Sequence, residues 1–268
     1  MKKGIFLLIG SCLLLALTGC GKTKDNVVAE SKYVKVSDYD NLKVSVPKST
    51  ITEANIKSYV ERMIDSYAPS EGTKPTYEQL TDDFVATEME ELGFKTVKEL
   101  KQAVSEYLNG MNEYYAENNT RQAVMEELMK ISTIKSLPEG LLEERVEQYI
   151  KLFKASCKEQ YGVTYEEYLS TYQMTEDSFR SQTEATMKET IESELVLLEI
   201  AKVEGIKIEE KDYKEFVEQM LQTSGYKTEE DLYADYGKEY IEDSYICDKV
   251  LTMLVEDADV TYVTPGGM

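Results

Sequence analysis

The sequence predicts a mainly α fold with long amphipathic helices and one short strand segment near its beginning. Three observations carry this reading. From Leu80 onward, apolar residues recur every three or four positions instead of alternating. Paired capping residues, Thr96 with Glu99 and Thr164 with Glu167, stand where apolar runs begin. Only 5 prolines and 14 glycines occur in 268 residues, few for an all-β chain whose many turns would consume both.

Taken in order, Leu42, Val44 and Val46 alternate with polar residues and stop at Pro47, the pattern of a half-buried strand. Thr50 and Glu53 have capping-box spacing, and Ile56, Tyr59, Val60, Met63 and Ile64 follow at helical intervals, so a helix is expected to about Tyr67. Pro69, Gly72 and Pro75 make residues 68–79 a loop. Thr96 and Glu99 open the longest pattern, through Leu100, Val104, Leu108, Met111, Tyr115, Val124, Leu128 and Ile131. As one helix it would measure ~54 Å, with Gly110 or the Asn118–Asn119 pair as places for a bend. Pro138, at a first-turn position, opens a second long helix that Gly162 ends. Thr164 and Glu167 cap a short one. A third long helix runs from Thr175 to Glu204, with Phe179, Met187, Ile191, Leu195 and Leu198 on one face and Gly205 beyond its end. Glu209 to Ser224, Thr228 to Tyr236 and Glu239 to Asp257 read as further helices, and Val260 to Val263 offers a last strand.

The first residues follow a different logic. Lys2 and Lys3 precede an apolar run from Ile5 to Leu17 that is too short to span a bilayer comfortably. The run ends in Leu17-Thr18-Gly19-Cys20, which resembles the lipobox of bacterial lipoproteins. That resemblance implies a signal peptide over 1–19, cleavage between Gly19 and Cys20, and acylation of Cys20; an ordinary secretory signal with a chance cysteine is the alternative. More than one acyl chain makes membrane attachment stable. The expected location is the extracytoplasmic face of a bacterial cell membrane, where no ATP pool supports a kinase or ATPase. Residues 20–33, polar and mixed in charge, read as a flexible lipid-anchored tether.

Composition narrows the chemistry. The net charge is −21 and becomes −23 once Lys2 and Lys3 leave with the signal, which argues against nucleic acid as a partner. There is no histidine, so Ser-His-Asp and Cys-His catalysis and the commonest metal ligand are excluded. No phosphate loop, nucleophile elbow or calcium loop occurs, and no catalytic residue, metal or cofactor is expected. The carboxylate pairs Asp82–Asp83 and Glu90–Glu91 read as helix caps and solvated faces. Cys157 and Cys247 fall on apolar stripes and read as free buried thiols, although an oxidising compartment permits a bridge. Twenty tyrosines and eleven methionines leave two readings open: they fill half-buried helix faces, or they line an adaptable binding surface.

Several stretches resemble one family. Leu80-Thr81-Asp82-Asp83-Phe84-Val85-Ala86, followed by Gly93-Phe94-Lys95-Thr96-Val97-Lys98-Glu99-Leu100-Lys101, resembles the entry into the C-terminal domain of trigger factor. Leu137-Pro138-Glu139-Gly140-Leu141-Leu142-Glu143-Glu144-Arg145-Val146 and Leu198-Glu199-Ile200-Ala201-Lys202-Val203-Glu204-Gly205-Ile206 are similar to later parts of it, and Val250 to Glu256 to its last helix. Asp38 to Met63 resembles the linker toward the family's FKBP-type isomerase domain, but only the twelve residues Ala68 to Gln79 stand where that domain would be inserted. The ribosome-docking signature Gly-Phe-Arg-x-Gly does not occur. The resemblance implies a linker strand and helix over 34–79, an elongated helical chaperone domain over 80–263 whose long helices form arms, and a tail over 264–268. SurA-type chaperones carry a similar helical body.

The function implied is an ATP-independent, membrane-anchored chaperone whose partners are unfolded or newly secreted polypeptides, with no ribosome involved. A peptidyl-prolyl isomerase, and an adaptor lipoprotein gripping one folded partner, are the alternatives. Met111, Tyr114 and Tyr115, beside Gly110, cover more than one face of the first long helix and are the candidate client-binding residues.

Overall fold

A computed structural model describes residues 26–67 and 74–264. The predicted signal peptide 1–19, Gly19, Cys20 and the first half of the loop at 68–79 lie outside the described residues. Nine α-helices and five short strands are described, so the fold is mainly α as the sequence predicts. The chain divides into two compact units. One comprises residues up to 44 together with 121–259, the other residues 45–120 together with those from 260.

The larger unit is organised around helix α6 (Glu176–Glu204). Thr175 caps it through Ser178, and Gly205 ends it at a φ of 68°, a left-handed conformation that glycine adopts without strain; the Ile206 amide then closes back on the Ala201 carbonyl at 2.9 Å. Helices α4 (Leu141–Gln160) and α9 (Lys238–Asp257) pack along it. Helix α5 (Tyr165–Thr171) folds against α4, while α7 (Glu210–Ser224) and α8 (Glu229–Tyr236) pack with α9. Apolar stripes at three-to-four spacing on these helices make two cores. One gathers Val146, Ile150, Phe153, Cys157, Tyr165, Leu169, Phe179 and Met187, and the other Val217, Met220, Leu232 and Ile241. Both thiols are buried and free, and burial pushes both upward from the usual thiol range.

A three-stranded antiparallel sheet in the order β1–β2–β4 covers another side of α6. It consists of β1 (Val27–Glu30), β2 (Val34–Ser37) and β4 (Ser132–Ile134), with Ala29 opposite Val36 and Val34 opposite Ile134. Here the structure corrects the flexible tether expected over 20–33. Residues 27–30 pair as a strand, and the signal was hidden because a bulge near Val28 breaks the alternation and leaves Ala29 as the one inward residue. Strand β4 was equally illegible, since three residues are too few to show a period.

The smaller unit holds α1 (Glu53–Tyr67), α2 (Asp82–Glu88) and the N-terminal part of α3 (Val97–Lys130) around a core of Val60, Ile64, Tyr77, Leu80, Val85, Met89, Leu100 and Val104. Strands β3 (Lys43–Pro47) and β5 (Asp259–Val263) form a two-stranded sheet, and the Lys48 amide donates to the Val263 carbonyl at 3.0 Å. The expected cap at Thr96 is present: Glu99 accepts from the Thr96 amide at 3.2 Å and Thr96 Oγ1 from the Glu99 amide at 3.1 Å. Helix α3 continues through Gly110 and Asn118–Asn119 for 34 residues, so neither expected bend site interrupts it.

Three expectations are displaced. The cap of α1 is Thr52 paired with Asn55, not Thr50 with Glu53: Asn55 Oδ1 accepts from the Thr52 amide at 2.8 Å, while Glu53 accepts from the Tyr77 hydroxyl. Pro138 lies in a turn before α4, because Gly140 takes a φ of 78° and the helix begins at Leu141. The boundary expected at 79/80 does not separate compact units; α1 shares a core with α2 and α3, so the division falls near residue 44 and within α3, between 120 and 121.

Candidate functional site

The apolar stripe of α3 changes character along its length. Leu100 and Val104 are buried in the smaller unit's core, and Leu108 packs partly against it. On the same side of the helix the stripe continues as Tyr107, Met111, Tyr114 and Tyr115, at i, i+4, i+7 and i+8 intervals that form one broad stripe rather than the more than one face expected. Tyr107, Tyr114 and Tyr115 are 51%, 59% and 57% exposed, and Met111 is half-buried. Two of the three residues predicted to meet clients are therefore in water, and the structure adds a fourth member at Tyr107.

The row is ordered by its own rings. Tyr114 and Tyr115 meet edge to face with centroids 5.8 Å apart. Tyr107 lies 5.5 Å from Tyr59 of α1, whose other neighbour is the Arg62 guanidinium at 5.2 Å from the ring centre. Burial, and then the hydrogen bond with Tyr107, push the Tyr59 hydroxyl up from its usual range. Such pairs hold large amphipathic surfaces at low entropic cost while leaving a ring face free for contact. Glu106, Glu113 and Glu117 form a neighbouring acidic row on the same helix, with Glu113 bound to Lys48 at 2.7 Å. Asn112 donates to the Ser49 carbonyl at 2.7 Å, which fixes the turn after β3 against the helix away from the tyrosines. This arrangement offers contact area and negative charge, and no group placed for acid–base or nucleophilic work.

The other candidate residues are structural. Asp82 Oδ1 accepts from the Val97 amide at 2.8 Å and caps α3, while Asp83 lies in the first turn of α2 and Glu90 and Glu91 in a short exposed 3₁₀ turn. Among the described residues no group of three or more His, Cys, Asp or Glu could hold a metal ion, and no helix is long and apolar enough to cross a membrane. A second exposed aromatic group, Tyr161 and Tyr172, flanks the half-buried Tyr168 in the larger unit, with ring centroids 5.1 and 4.6 Å from it. It went unread in the sequence because these tyrosines lie at helix ends and a loop, outside any periodic stripe.

The profile of the family described as the C-terminus of bacterial trigger factor protein matches residues 96–257. The trigger factor of Caldicellulosiruptor bescii is 24% identical over 200 residues, covering 70% of this chain and 45% of that protein. That of Clostridium botulinum is 24% identical over 250 residues, covering 89% and 57%. The chain thus spans about half the length of the curated relatives it matches. Among solved structures, a hypothetical Mycoplasma protein is similar over 88% of this chain at 12% identity and a TM-score of 0.40. A structure of the trigger factor chaperone is similar over 70% of this chain at 20% identity and a TM-score of 0.37.

Proposed function

The chain belongs to the trigger factor C-terminal family, and on that premise we propose that it is an ATP-independent chaperone for unfolded or newly secreted polypeptides. In this reading it works at the extracytoplasmic face of a bacterial membrane, tethered by lipid on Cys20. The observation that carries the chaperone reading is the exposed row Tyr107, Met111, Tyr114 and Tyr115, an apolar stripe that runs on beyond the core it helps to build. Holding an unfolded segment needs a deformable, partly apolar surface rather than a catalytic group, and tyrosine and methionine supply one. The strongly acidic composition, −21 over the full sequence and −23 without Lys2 and Lys3, favours basic segments by long-range attraction.

Prolyl isomerisation is not part of this proposal. The matched region is the family's C-terminal part, and the segment between α1 and the next described turn is too short to build a catalytic sheet. The protein is expected to leave the relaxation of an X-Pro test peptide at its uncatalysed tens to hundreds of seconds.

The central test is suppression of aggregation of several unrelated unfolded proteins by the chain from Gly21 onward, compared with a Tyr114→Ser, Tyr115→Ser variant. Weaker suppression at unchanged thermal stability supports the reading. A variant as active as the parent would remove this surface from it, and activity toward one client alone would favour an adaptor. Separately, Cys20→Ala should abolish incorporation of labelled fatty acid, and continued labelling would sink the lipid-anchor assignment.

A further inference from the structure

The larger unit contains a cavity of about 280 Å³ on the side of α6 that faces α9 and the turn between β1 and β2. Its walls are Leu195, Leu198 and Ala201 of α6, Ile206 just beyond it, Ile246 of α9 and the Tyr33 ring. The periodicity places Leu195 and Leu198 on the stripe of Phe179, Met187 and Ile191, yet those three are buried while both leucines are only half-buried. They are the part of the stripe that the fold leaves uncovered. The rim is fixed on the sheet side, because Ser31 Oγ accepts from the Tyr33 and Val34 amides at 3.3 Å each and Lys135 Nζ donates to the Ser31 carbonyl at 2.8 Å.

The polar groups of the lining divide unequally. Glu199 and Lys202 satisfy one another at 2.9 Å. Arg145 is stacked 3.7 Å from the Tyr240 ring centre and reaches Glu194 at 3.9 Å. Asp243 is left half-buried, with no hydrogen bond or ion pair to any described residue. Burial first, and then the neighbouring Glu239, push its carboxyl up from the usual range, and the attraction of Arg145 and Lys202 offsets this only in part. Apolar walls wide enough for an extended alkyl stem and one carboxylate with no hydrogen bond or ion pair among the described residues together define a ligand: an aliphatic chain ending in a cation.

We propose that this cavity is a side-chain subsite that takes the aliphatic stem of a lysine or arginine of a bound polypeptide between Leu195, Leu198, Ile206 and Ile246, with the charged head on Asp243. Only the source of that side chain rests on the chaperone reading; the chemistry of the cavity does not.

The test uses the methyl-labelled full chain and two probes of one length, n-pentylammonium and n-pentanol. Pentylammonium should shift the methyl signals of Leu195, Leu198, Ile206 and Ile246 saturably and bind roughly tenfold more tightly than the alcohol, the gain expected of one charge-assisted contact in a partly desolvated site. In Asp243→Asn the two probes should bind equally while the alcohol's own affinity is unchanged. Equal binding to the parent chain, a preference that survives Asp243→Asn, or shifts scattered outside the cavity would overturn the proposal. If the variant misfolds, the ratio measured on the parent chain decides alone. Loss of the probe preference with aggregation suppression intact would remove the subsite and leave the chaperone; intact preference without suppression would do the reverse.

Discussion

Each compact unit carries an aromatic cluster, one built around a buried ring and the other open to water. In the larger one Phe153 of α4 is ringed by Tyr149, Tyr161, Tyr165, Tyr168 and Phe179, with centroids 4.9 to 6.3 Å away. In the smaller one Tyr107, Tyr114 and Tyr115 project into water from a helix of similar composition. What differs is the element that returns. Thr164 and Glu167 cap α5 and turn Tyr165, Tyr168 and Leu169 back over α4, whereas α1 packs with Leu100 and Val104 of α3 and meets the exposed row at the Tyr59–Tyr107 pair. Charge divides the same way. Both buried carboxylates, Glu194 and Glu199, lie in the larger unit, and among the described residues the smaller unit buries no charged side chain. A residue type therefore does not carry a role; the presence or absence of a covering neighbour assigns it.

The strongest way to break this comparison is Phe153→Ala. Removing the ring leaves a cavity at the centre of five aromatic contacts, and the expected loss of stability is about 3–5 kcal/mol in urea or guanidinium unfolding. Tyr115→Ser, by contrast, should stay within about 0.5 kcal/mol of the parent, as exposed positions do. Similar losses at both positions would erase the distinction between the buried and exposed rings.

The buried carboxylates give a second, somewhat smaller test. Burial pushes Glu194 up to about 7, and the attraction of Arg145 offsets this only in part because it acts across 3.9 Å; Arg145 Nε is itself left without a partner. The folded state then keeps a proton that the unfolded chain, whose glutamate titrates near its ordinary 4.5, has already released. Stability from this group is full below about pH 4.5 and is lost as pH rises through about 7, amounting to at most about 3 kcal/mol. Asp243, also pushed up by burial, adds to the same slope, whereas the exposed, ion-paired Glu30, Glu78 and Glu176 are lowered and act in the opposite sense at lower pH. Glu194→Gln should flatten the fall between pH 5 and 8. A parent chain whose stability rises over that interval would show that Arg145 compensates Glu194 fully.

Much of this architecture could be read from the sequence because local signals and packing agree. The caps at Thr96 and Thr164, the start of α6 at Thr175 and its stop at Gly205 lie where the pattern places them, since each depends on residues close in sequence. What escaped depends on partners far along the chain. Strands β1 and β4 exist only because β2 lies between them, and Asn55 displaced the expected Glu53 because Glu53 is drawn to Tyr77, 24 residues away. The tyrosine row was legible as a surplus of apolar residues around Gly110, but Tyr107 was not, because its exposure depends on where α1 ends its contact. The cavity beside Asp243 was illegible for the same reason: Leu195 and Leu198 read as core until the helices around them are placed.

The smallest expected effect bears most directly on whether the row of α3 is uncovered. Gly110 is inside the helix, one turn before Tyr114 and on its side, and a Cβ built there would meet nothing within 4 Å. Glycine in a helix interior costs about 1 kcal/mol relative to alanine, through the backbone freedom it loses on folding. Where nothing opposes the added methyl, that difference should appear in full, so Gly110→Ala is expected to stabilise the chain by about 0.5–1 kcal/mol and to raise the melting temperature by about 2–4 °C. Because the methyl is small and lies beside the rings, aggregation suppression should match the parent. The sign decides. A stabilised variant shows that the turn of helix under Tyr114 is open to water. A destabilised one shows that another surface already occupies the space over Gly110, and the exposed row would then be a packed face like the one around Phe153.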